Sequence, residues 1–302
     1  MFRRLIKDLL RDRRLYFMLI PFVLWYIVFL YKPMYGLVIA FKDYSVFRGI
    51  ADSPWVGFEN FQLFFNSPYF SRTLINTVMI SFYSLIFAFP APIILALLLN
   101  EVRNRVFKRW VQTLTYLPHF ISVVVVAGIV TNFLAPTTGI VNHFIALFGG
   151  ERQYFLVNPD YFRTIFIGMG IWKDVGFNAI IYLAALSAVN PELYEAAVID
   201  GANRWKQTLH ITLPGIWPTV SIMLILAIGN LLDVSYETII LLYQPATYAT
   251  ADVISTYVYR SGIQEMKYGL SVAVGLFNSL VGFILIIAAN RLSNKLTQNG
   301  LW

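Results

Sequence analysis

Apolar residues gather in six runs separated by polar, turn-rich segments: Leu15 to Tyr31, Leu74 to Leu99, Trp110 to Leu134, Thr164 to Val189, Ile216 to about Val234, and Leu270 to Ala289. A hydrocarbon layer ~30 Å thick needs about 20 residues at a rise of about 1.5 Å each, so every run predicts a spanning helix. The first run can continue past Lys32-Pro33, and the fourth is interrupted by Lys173-Asp174. The expected fold class is an all-α membrane protein of about six transmembrane helices. Aromatic and turn residues in the intervening segments, such as Trp55, Phe58, Phe61, Phe64, Phe65, Pro68 and Tyr69, fit an interfacial belt at the headgroups or a docking surface for an outer partner.

The distribution of Lys and Arg orients these spans, because basic connecting segments stay on the cytoplasmic side. With the N-terminus inside, the inner segments hold six in 1–14, four in 100–110, two in 190–215 and two in 291–302, against three, two and two in the outer segments 40–72, 135–163 and 235–268. Both termini are therefore expected in the cytoplasm. The division that follows is a basic N-terminus at 1–14, a membrane domain at 15–290 and a cytoplasmic tail at 291–302. The basic start invites comparison with a cleaved signal peptide, but no small-x-small site follows Leu15 to Tyr31, which reads as a retained helix.

Composition supports a bilayer as the solvent: 58% of the 302 residues are hydrophobic and 13% charged, with a mean hydropathy of +0.65. The net charge of +7 sits in short clusters beside apolar runs, a pattern of membrane orientation and contact with membrane lipid rather than of a nucleic-acid partner. The absence of cysteine excludes disulfides, thiol nucleophiles and Cys-bound metal. No Gly-Lys dipeptide can begin a phosphate-cradling Walker loop, and no His-Glu-x-x-His or Gly-x-Ser-x-Gly pattern suggests hydrolysis. His119, His143 and His210 are too scattered for a metal site and read as isolated polar positions. The chain is expected to carry no catalytic residues, metal or cofactor of its own.

The segment Asn190 to Pro214 between the fourth and fifth spans reads as two short cytoplasmic helices with a break. Asn190 suits an N-cap and Pro191 the first helical position, Glu192 and Glu195 favour the positive end of the helix dipole, and Gly201 suits a left-handed stop before Asn203 caps the next helix. Small Ala196, Ala197 and Ala202 beside Glu195 and Asp200 permit close approach and offer carboxylates to a partner's cations.

Glu195-Ala196-Ala197, then Asp200-Gly201-Ala202, then Ile211 to Pro214, resembles the Glu-Ala-Ala motif of binding-protein-dependent ABC importer permeases of the type I fold. The resemblance implies that this loop is the coupling helix, with Glu195, Ala196, Ala197, Asp200 and Gly201 touching a separate ATPase that binds ATP and Mg. It also implies a second permease subunit in a heterodimer, two ABC ATPase subunits, an extracellular solute-binding protein, and residence as a multi-pass protein of the bacterial cytoplasmic membrane. Further segments, including Lys32 to Gly36, Ala40 to Tyr44, Trp172-Lys173, Leu183 to Leu186, Thr256 to Arg260 and Asn290 to Trp302, look like the polysaccharide-uptake branch of the sugar permeases. That resemblance covers most of the chain and implies an oligosaccharide cargo.

Charges within spans usually face a bundle interior or a watery cavity, since exposure to lipid costs about 2.5–3.5 kcal/mol on insertion scales. Lys173 is expected near the midplane facing a cavity; Asp174, rotated about 100° from it on a helix, is expected to find a different partner. Asn230, Asp233 and Glu237 fall at i, i+3 and i+7, the spacing of one helical stripe. Sugars need hydrogen-bonding groups and aromatic faces, which makes Trp172, Asp174, Phe177, Asn178, Asn230 and Asp233 the candidate substrate path. Asp174 departs from the small or neutral residue the resemblance implies. Other readings are a secondary transporter using Asp174 or Asp233 as its ion site, a membrane enzyme, and the same machinery with a non-sugar solute; only the ABC machinery explains the loop.

Overall fold

The computed structural model describes residues 11–297, so the expectations for 1–10 and 298–302 lie outside the described residues. Helices dominate: α1 (Arg13–Phe41), α2 (Glu59–Phe65), α3 (Pro68–Glu101), α4 (Arg105–Phe120), α5 (Val123–Phe133), α6 (Ile140–Leu147), α7 (Pro159–Ser187), α8 (Pro191–Ile199), α9 (Arg204–Gly229), α10 (Tyr236–Leu242), α11 (Ile254–Tyr259) and α12 (Tyr268–Thr297). Five of them are long and apolar enough to span a membrane, and the bent pair α4–α5 makes a sixth.

The starts of these helices are written in the sequence. Ser67-Pro68, Asn158-Pro159 and Asn190-Pro191 each place a capping side chain before a proline, where the missing N–H costs nothing. Prolines further along act differently. Pi-helical turns at Ile27–Tyr31, Ser84–Ala88 and Thr208–Thr212 each end two positions before a proline: Pro33, Pro90 and Pro214. A proline ring crowds the carbonyl four residues back and leaves it unpaired, and a widened turn absorbs both problems without ending the span. That is how α1 runs on past Lys32-Pro33.

Contacts divide the chain into two units, one holding residues up to Asn66 with Ser261–Leu276, the other Ser67–Arg260 with residues from Phe277 onward. In the first, the Lys42 ammonium donates to the carbonyls of Ile50 at 2.5 Å and Ala51 at 3.1 Å. The Asn60 amide donates to the carbonyls of Ala40 at 2.9 Å and Lys42 at 3.1 Å. Phe41 stacks on Trp55 and meets the edge of Phe58, so the aromatic-rich segment before α3 is a folded element.

In the second unit two apolar clusters lie along α7. Phe162 and Met169 pack with Ile80, Val126, Ile239 and Val253; Ala179, Tyr182 and Leu186 pack with Ala96, Ile216 and Val220. A buried polar knot secures the end of α3. Asp252, fully buried, accepts from Arg72 at 2.7 Å, from both terminal nitrogens of Arg260 at 3.0 and 3.1 Å, and from Thr256 at 2.9 Å. Burial disfavours the Arg260 charge, but the hydrogen bonds and charge of Asp252 outweigh it and hold the guanidinium above its usual pKa.

Two spans differ from the sequence expectation. The third, expected as one helix from Trp110 to Leu134, is broken by a bend of 106° between α4 and α5. Pro118 starts a tight turn at Leu117–Phe120, Ile121 is extended, and Ser122 caps a new helix by accepting from the Val125 N–H. The fifth, expected to reach Val234, ends at Gly229. The stripe of Asn230, Asp233 and Glu237 therefore does not exist: Asn230 caps the helix, Asp233 lies in a turn, and Glu237 opens α10.

Candidate functional site

The Glu-Ala-Ala loop folds as a capped helix with an open surface. The Asn190 side chain accepts from the Glu192 N–H at 3.0 Å. At the other end Gly201 takes a φ of +73°, the Ala202 N–H reaches the Ala197 carbonyl at 2.8 Å, and the Gly201 N–H reaches that of Val198 at 3.1 Å. This paired closure of a helix C-terminus needs the left-handed residue that glycine supplies at least cost. No residue of α8 is buried. Glu195, Ala196, Asp200 and Gly201 are exposed and Ala197 half-buried, while Ile199 is 87% and Trp205 69% exposed. Apolar side chains this open beside two carboxylates form a surface suited to a protein partner.

The loop is tied to one span. Asn203 caps the next helix by accepting from the Lys206 N–H at 2.9 Å. That helix is not the second short cytoplasmic helix expected from sequence, because it continues without interruption as α9; the widened turn at Thr208–Thr212 carries it past Pro214. The Tyr194 and Thr212 hydroxyls meet at 3.0 Å, and the Gln207 amide donates to the Ala202 carbonyl at 2.8 Å. Two hydrogen bonds thus join α8 and its closing turn to the start of α9.

At the other end of α9 lies a cavity of about 480 Å³, bounded by α3, α7 and α9 and by the turn after Gly229. Asn178, Asn230 and Asp233 line it with Ser81, Ser84 and Ser235, against Phe89, Phe166 and Tyr182. The turn holds its shape because neighbours satisfy the backbone groups freed by the helix end: Ser81 donates to the Leu231 carbonyl, Asn278 to that of Leu232 at 3.4 Å, and Ser255 to that of Val234 at 2.5 Å. Irregular backbone at membrane depth is tolerated where protein satisfies it or a cavity borders it. The Asp233 side chain has no partner among the described residues.

The other three candidates do not line this cavity. Asp174 accepts from His119 at 2.8 Å and lies 3.3 Å from the Lys173 ammonium, which also donates to the His119 carbonyl at 3.3 Å. The expectation of separate partners for Lys173 and Asp174 is thus overturned: the long, flexible Lys173 side chain reaches the neighbouring Asp174 carboxylate, and both meet His119. His119 is not isolated, since its ring also stacks on Phe177 at 3.8 Å between centroids. Phe177 and Asp174 hold the broken third span against α7, and Trp172 is exposed. Sequence reasoning missed Ser81, Ser84 and Ser235. Gly229-Asn230, a familiar helix stop, was the available signal that the helix ends there.

Residues 88–298 match the family model described as the binding-protein-dependent transport system inner membrane component. The chain is 47% identical to Protein LplB of Bacillus subtilis over 97% of its own length and 92% of that protein's. It is 44% identical to the polygalacturonan/rhamnogalacturonan transport system permease protein YteP of the same organism, covering 99% and 94%. Among solved structures, a chain of the bacterial ABC transporter involved in the import of the acidic polysaccharide alginate superposes with a TM-score of 0.91 at 49% identity, covering 97% of this chain and 99% of that one. The alginate transporter in complex with its alginate pentasaccharide-bound periplasmic protein gives 0.92 at 48% identity, covering 99% and 100%.

Proposed function

The chain belongs to the family of binding-protein-dependent transport system inner membrane components, and from that premise we propose that it is the permease subunit of an ATP-driven importer carrying an oligosaccharide across the bacterial cytoplasmic membrane. The observation that carries this reading is the exposed, doubly capped α8 bonded to the start of the helix whose far end borders a cavity lined in part by Asn178, Asn230 and Asp233. Relatives that move polygalacturonan, rhamnogalacturonan and alginate support a carbohydrate cargo.

In this reading both termini face the cytoplasm, a second permease completes the path, and two ATPases sit beneath the pair. A periplasmic binding protein delivers sugar, as in the alginate system. ATP closes the ATPase dimer, Glu195, Ala196, Ala197, Asp200 and Gly201 move with it, and the joint between Tyr194 and Thr212 turns α9. The turn at 230–235 then presents Asn230 and Asp233 differently to the cavity. Sugar hydroxyls hydrogen-bond to Asn178, Asn230, Asp233 and the three serines, while ring faces lie on Phe89 or Phe166. This chain supplies a path and a lever, and the ATPases supply the reaction.

Uptake by the complete importer in sealed vesicles tests this against ion coupling. Accumulation should require ATP on the cytoplasmic side and persist when an uncoupler removes the ion gradient. Loss of uptake on uncoupling with ATP maintained would instead favour a secondary transporter.

A further inference from the structure

We propose that one flank of α4 is a binding site for an anionic phospholipid, with its phosphate on Arg105 and Arg109 and its acyl chain along Val106 and Trp110. These four residues and Thr113 line a recess of about 470 Å³ on the surface of the second unit.

The residues divide as an amphiphile divides. At about 100° per residue, Lys108, Gln112, Arg105 and Arg109 fill one arc of α4, and Val106, Trp110, Leu114, Phe107 and Val111 the opposite arc. The recess lies on the border, with Arg105 and Arg109 on one side, Trp110 and Val106 on the other, and Thr113 between. Val106, Phe107, Trp110 and Leu114 are exposed. A free phosphate would use half of this surface and an apolar chain the other half; a lipid uses both.

Charge points the same way. Arg103, Arg105, Lys108 and Arg109 have no carboxylate partner among the described residues, and nearby Glu101 is held by Arg204 at 3.8 Å. Asn104 caps α4 by accepting from the N–H groups of Val106 and Phe107 at 2.9 and 3.1 Å, so these cations crowd the positive end of a helix dipole. That placement is unfavourable alone and relieved by an anion. Basic clusters beside a span on the cytoplasmic side attract acidic headgroups by roughly a fivefold enrichment per cation.

The test is lipid retention by the intact importer, released from bilayers of equal phosphatidylglycerol and phosphatidylcholine and read by native mass spectrometry. The wild-type complex should keep phosphatidylglycerol preferentially. The double variant Arg105→Gln, Arg109→Gln should retain one phosphatidylglycerol fewer and lose preference by about 10-fold or more, at unchanged ATPase content. Trp110→Ala should weaken retention of both lipids without changing their ratio. Equal retention by wild type, an unchanged ratio in the double variant, displacement of the lipid by millimolar inorganic phosphate, or loss of the ATPases from the double variant would each overturn the proposal, the last two by showing a free-anion site or a protein contact.

Discussion

Gly201 closes a helix and Asp233 lines a cavity, so the two residues answer to different tests. At Gly201 a Cβ would meet nothing within 4 Å, yet φ is +73°, so alanine faces only the backbone cost of the left-handed region, about 1–2 kcal/mol. Gly201→Ala should therefore lower the thermal stability slightly and leave sugar-stimulated ATP hydrolysis near normal, whereas Gly201→Trp, filling the open surface, should abolish co-purification of the ATPases. Asn230 and Asp233 are exposed and line the cavity, so replacing both by alanine should stop uptake while the complex still assembles. Retained uptake would remove them from the path. The caps of the Glu-Ala-Ala loop were legible in sequence because capping chemistry is local: Asn190, Pro191, Gly201 and Asn203 take the roles their types suggest. The bond between His119 and Asp174 spans 55 positions, and no local rule reaches that far.

At the scale of elements, spans were readable and breaks were not. A hydropathy run cannot reveal that the chain turns by 106° after Phe120, because Ile121 and Val123 to Val126 are as apolar as what precedes them. The same blindness extended the fifth span beyond Gly229. The broken third span still packs tightly: a Cβ on Gly176 would collide with the Thr115 carbonyl, so α4 and α7 approach to backbone contact as small residues allow in membranes. Gly176→Leu should push the helices apart and disturb the bond between His119 and Asp174. We expect a clear fall in the melting temperature of the purified complex, while Gly170→Leu, in open space on the same helix, should have little effect.

For the molecule as a whole, the second unit joins an exposed loop to a cavity further along α9 through hydrogen bonds and one continuous helix. In the proposed mechanism that continuity is what would let a separate ATPase drive transport, and the helix ending at Gly229 puts a break in regular structure beside the cavity. Membrane class and family followed from pattern and motif. The cavity needed the tertiary structure, since its walls come from segments as distant as Ile80 and Ser235.

The chain contains no cysteine, so Ala197→Cys gives it a single thiol in the coupling loop. Reaction with a membrane-impermeant maleimide should fail on intact cells, proceed in inside-out membranes stripped of the ATPases, and be blocked when the ATPases are restored. Labelling from outside intact cells, or labelling indifferent to the ATPases, would contradict the assignment of this loop as the lever.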